Sequence, residues 1–128
     1  MVEKHPIRPG RVRRPPREGF SWVDRRFLRE HAPGLSRDAI VVYLFYCAVA
    51  DREGLSYWSD TAAAARLKLD AVSLERARDE LVRRDLLAYG APLVQVLALP
   101  EALAPRASRR GEAESLGSIL RGIQGTAT

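Results

Sequence analysis

The chain has 128 residues, 46% hydrophobic and 29% charged, with a formal net charge of +5. That length allows one domain with room for tails, and the balance is that of a globular chain rather than a membrane-embedded one. A single cysteine, Cys47, excludes a disulfide framework and a thiolate metal centre and fits a reducing, cytoplasmic setting.

Residues 1–20 carry Lys4, Arg8, Arg11, Arg13, Arg14 and Arg17 against only Glu3 and Glu18. Four prolines break this stretch and no apolar period runs through it, so a disordered basic arm is expected. It has no apolar core of the kind a secretory signal needs. Nineteen of the 21 cations are arginines, which suits bidentate contact with phosphate. A solubilising tail is the plainer reading of the arm, and a GC-rich coding sequence that of the arginine bias.

Order is expected over residues 21–100. Ser21 and Asp24 have the spacing of a capping box, with Val23, Phe27 and Leu28 as a partial stripe, so a short helix is predicted up to Pro33-Gly34. Ser36 then caps a second helix, with Asp38 in its first turn. Its run "AIVVYLFYCAVA" is apolar on every side, which places it at the centre of the core. At twelve residues it is too short to span a bilayer, which takes roughly 20. "DREG" reads as a turn, "LSYWS" as a short extended piece, and Ser59 or Asp60 as the cap of an alanine-rich helix over 60–67. Asp70 caps a further helix over 71–84, in which Leu74, Ala77 and Leu81 form one buried stripe. "LLAY" and "LVQVLAL" follow as two strands joined by "GAP". The predicted fold class is therefore α+β, mainly α with a small β-hairpin.

Residues 101–128 turn to Ala, Ser, Gly, Arg and Glu, the composition of a flexible tail. Within it Leu116, Ile119, Leu120 and Ile123 share one face of a short helix predicted over 112–123. Gly117 and Gly122 would each cost that helix about 1 kcal/mol, so it would need a protein partner to dock against.

The stretch "SDTAAAARLKLDAVSLERARDELVRRDLLAYGAPLVQVLAL", residues 59–99, resembles the winged helix-turn-helix. It is most similar to the modules of bacterial replication initiators and mobile-element proteins. The resemblance implies a protein that binds double-stranded DNA, a small transcriptional regulator or an accessory factor in replication or transposition. It implies that helix 71–84 enters a major groove by its N-terminal half. Ala71, Ser73, Glu75 and Arg76 would then approach base edges, with Arg76 suited to guanine. Arg66, Lys68, Arg83 and Arg84 would meet phosphates, as would Arg11, Arg13, Arg14 and Arg17 of the arm. The plainer reading of the helix is a solvated face on which Glu75, Arg76, Arg78, Asp79, Glu80, Arg83 and Arg84 form salt pairs along the chain.

The hairpin turn carries no cation, and its second strand, 93–99, is apolar on both faces except at Gln95. An edge strand of that kind needs cover, so a homodimer through residues 86–99 is a further expectation. The alternative function is a protein-interaction subunit that keeps the same scaffold and docks a nucleic-acid machine through 112–123. No catalysis is expected: Cys47 lies inside the apolar run, His5 and His31 stand apart, and no glycine-rich phosphate loop is present. No cofactor, metal or membrane anchor is expected. The location would be cytoplasmic, on the nucleoid if DNA is bound.

Overall fold

The computed structural model describes residues 3–100. The helix expected over 112–123, with Leu116, Ile119, Leu120 and Ile123, lies outside the described residues. Residues 3–20 are exposed throughout and hold one 3-10 turn, Pro9–Arg11.

The predicted capping box does not form. The Ser21 hydroxyl donates instead to the Ala48 carbonyl at 2.8 Å, tying an extended segment to the far end of the following helix. Asp24 takes over as cap, its carboxylate accepting from the Arg26 amide at 2.9 Å. A wide π-helical turn, Phe27–His31, and a 3-10 turn, Ala32–Gly34, complete the approach. The short helix predicted up to Pro33-Gly34 is thus present as these turns, and Phe27 stacks on Tyr43 with ring centroids 3.9 Å apart, strapping it to the core.

Helix α1 (Arg37–Val49) begins where predicted, with the Ser36 hydroxyl accepting from the Ala39 amide. It buries Ala39, Val42, Tyr43, Phe45, Tyr46 and Cys47, but Leu44 is 44% exposed. The expectation of burial on every side is corrected at that face: neighbours pack on most of the helix circumference and leave Leu44 and Ala48 open. Strand β1 (Leu55–Ser56) follows a turn held by Asp51, whose carboxylate accepts from the amides of Glu53 and Leu55.

Helix α2 (Asp60–Leu67) is capped by Ser59 and ends on Lys68 in the left-handed region, φ 61°. Helix α3 (Ala71–Arg83) is capped by Asp70 and packs across α1 and α2 through Leu74, Ala77 and Leu81. Strands β2 (Leu87–Gly90) and β3 (Leu93–Val96) pair antiparallel around a two-residue turn with a cis Ala91–Pro92 bond. The sheet order is β1-β3-β2. Leu55 and Ser56 pair with Gln95 and Val94.

That order corrects the expectation of an apolar edge strand. β3 is the central strand, hydrogen-bonded on both sides, and Val94 is buried. A central strand over a core is apolar because both of its edges and one face are covered, so the pattern needs no second chain to explain it. The whole is an α+β body with a three-stranded antiparallel sheet, compatible with a winged-helix-like arrangement.

Candidate nucleic-acid interface

The inward face of α3 is larger than three apolar residues suggest. Arg78 follows Leu74 by four positions and precedes Leu81 by three, so it lies on the buried stripe, 3% exposed. This corrects its placement on the solvated face. Its guanidinium donates to both Asp60 carboxylate oxygens, at 2.6 and 3.2 Å, and lies 3.9 Å from the Tyr89 ring centroid. One side chain thus joins the start of α2, the middle of α3 and strand β2. Burial disfavours the Arg78 charge, but the Asp60 carboxylate and the Tyr46 hydroxyl outweigh it and hold the guanidinium charged. Burial likewise pushes the Tyr46 phenol up, opposed by the same guanidinium.

Glu80 also leaves the outward face. It accepts from the Ser36 hydroxyl at 2.7 Å and the Ser36 amide at 2.9 Å, and so finishes the cap of α1. Burial raises its carboxyl, yet the Ser36 bonds with nearby Arg83 and Arg84 prevail and leave it below the usual range. One turn on, Arg84 donates to the Gly34 carbonyl at 2.8 Å. The C-terminal end of α3 therefore grips the entrance to α1, and Arg84 has a local partner besides the phosphate role foreseen for it.

With those residues drawn inward, the outward face of α3 reduces to Ala71, Val72, Glu75, Arg76, Asp79, Val82 and Arg83, all exposed. Ser73, foreseen at a base edge, is half-buried, and its amide donates to the Asp70 carboxylate at 2.7 Å. That bond and the Ser73 hydroxyl lower the Asp70 carboxyl. The salt pairs of the plainer reading are absent among the described residues. The four ion pairs are His5–Glu3, Arg26–Asp24, Arg29–Glu30 and Arg78–Asp60, and none joins two outward residues of α3.

Residues 21–100 carry eleven basic and eleven acidic side chains, a balance that conceals a division of labour. Asp24, Asp51, Asp60, Asp70 and Glu80 cap backbone amides or pair inside the fold. Arg66 and Lys68 at the α2–α3 corner, and Arg76 and Arg83 on α3, have no carboxylate within 4.0 Å among the described residues. Arg66 lies 5.8 Å over the Trp58 ring, which in turn meets Phe45 edge-on, so the corner is anchored to the core by an aromatic ladder. Arg11, Arg13, Arg14 and Arg17 of the arm are exposed.

Sequence reasoning passed over Val72. It falls outside the Leu74–Ala77–Leu81 stripe, and that offset was the available signal. No cluster of three or more His, Cys, Asp or Glu suited to a metal occurs among the described residues. Cys47 is buried, and burial pushes its thiol up against a hydrogen bond from Tyr43 that lowers it. No described helix is long and apolar enough to cross a membrane. No protein-family model, no curated protein and no solved structure matches the chain.

Proposed function

We propose that this is a DNA-binding protein with a winged-helix body, a small regulator or an accessory factor in replication or transposition. In this proposal α3 enters the major groove, the α2–α3 corner contacts phosphates, and the basic arm follows the backbone. The element order α1-β1-α2-α3-β2-β3 with the sheet order β1-β3-β2 supports the winged scaffold. The observation that carries the function is the uncommitted outward face of α3. Its charged groups have no ion-pair partner among the described residues, while Arg78 and Glu80 of the same helix are bound into the fold.

The experiment is fluorescence anisotropy of labelled duplexes against the full chain and a variant with Arg11, Arg13, Arg14 and Arg17 changed to Ala, over a salt series. Both proteins should bind, the arm variant more weakly and with a shallower salt slope, by up to about four units. Arg76→Ala should cost about 1–3 kcal/mol on a preferred duplex and relax its sequence preference. Loss of all binding in the arm variant would make the arm a simple tether and leave α3 without a reading role.

The second reading, a protein-interaction subunit, is favoured by a different observation. Phe20, Trp22 and Leu28 on the N-terminal strap are each more than two-thirds exposed, and Leu44 stands open on α1. In that reading these residues and the 112–123 segment would engage a partner protein, and the uncharged hairpin would serve assembly.

A further inference from the structure

The outward face of α3 carries groups of three kinds. Val72 is apolar and 59% exposed, Glu75 and Asp79 are acceptors, and Arg76 is a donor. A phosphate surface would be met by donors alone, and two carboxylates on this face, with Asp70 at its start, repel it. Base edges in a major groove present all three complements: methyl groups, amino donors and the N7/O6 acceptors of guanine. Val72 is the large apolar member in the N-terminal half of the helix, the half that would enter the groove, whereas Val82, 39% exposed, lies in the last turn. The buried stripe of Leu74, Ala77 and Leu81 is complete without Val72. As a β-branched residue it lowers the helix propensity of the first turn relative to alanine, and as an exposed one it contributes little to the core. It stands one turn before Arg76, about 6 Å along the axis, close to the rise of two base pairs.

We infer that Val72 is a specificity-determining residue that reads the 5-methyl group of a thymine, about two base pairs from the guanine met by Arg76. The inference rests on the DNA-binding reading above and names the sequence that this same face selects.

The test begins with the full chain and a pool of random-sequence duplexes. Each thymine of the enriched duplex is then replaced in turn by deoxyuridine, which removes only the methyl group. The wild-type chain should lose about fourfold in affinity at one thymine, the effect of one buried methyl-sized group. Val72→Ala should bind the original duplex more weakly by a similar factor and be indifferent to deoxyuridine at that position. Alanine is the better helix former, so the fold is retained, and circular dichroism verifies this. An enriched duplex on which no deoxyuridine matters, or a Val72→Ala chain that keeps the sensitivity, overturns the inference and spares the DNA-binding reading. A pool from which nothing is enriched overturns both.

Discussion

Arg76 and Arg78 are two positions apart on one helix and have opposite fates. Arg78 faces inward, with its charge met by Asp60 and its plane by Tyr89. Replacing it with methionine keeps volume but leaves the Asp60 carboxylate without its partner. Because the Asp60 side chain is 39% exposed and can turn toward water, the loss should sit below that of a fully buried pair, about 2 kcal/mol. Arg76→Met removes no ion pair and should shift stability by no more than about 0.5 kcal/mol. Urea denaturation of the two variants measures the contrast, and equal midpoints would mean that Arg78 contributes nothing as a junction. The difference follows from helical period alone: 74, 78 and 81 share a face, whereas 72, 76, 79 and 83 share the opposite one.

At the scale of elements, the joint between β1 and β3 depends on Gly54. Its φ is +86°, and its carbonyl accepts from the Val96 amide at 2.8 Å. A Cβ placed there would meet the Val96 carbonyl oxygen at 2.5 Å, and that oxygen is backbone that cannot swing aside. Gly54→Ala should therefore destabilise the protein by about 2 kcal/mol or more, read as a lower urea midpoint. The caps at Ser36, Ser59 and Asp70, the helices they start and both hairpin strands were legible in the chain, because caps and periodicity are local signals. The Ser21–Asp24 box was not, because a carbonyl 27 residues away claimed the Ser21 hydroxyl. The central place of β3 was hidden for the same reason. A two-residue strand far upstream supplies its second neighbour, and nothing within 93–99 announces that. For the candidate interface, the outward residues were half legible: Glu75 and Arg76 from charge, Val72 only once the buried stripe was set.

Across the whole molecule, depressed carboxyls and raised thiol and phenols bound the range of stability. Asp24 is lowered chiefly by its Arg26 hydrogen bond, and Asp70 by its bond from the Ser73 amide. Glu80 is lowered on balance by Ser36. A carboxyl depressed in the folded state stabilises fully above its ordinary value, 3.8 for Asp and 4.5 for Glu, and that contribution is lost as pH falls through the folded value. Cys47, Tyr43 and Tyr46 are raised by burial, so their contribution is present below 9.0 and 10.0 and lost as pH rises through the folded values. Calorimetry should find a plateau in melting temperature between these limits, with Glu80→Gln softening the acid descent. A descent that begins at neutral pH would contradict the assignment.

The bond between Ser36 and Glu80 spans 44 positions of the chain. A ribosome makes α1 long before it makes the carboxylate that completes its cap, and before α3 exists to pack against it. The nascent α1 therefore waits on α3 for both its packing neighbour and its finished cap. Completion of the α1 cap is deferred until Glu80 and its helix have been made.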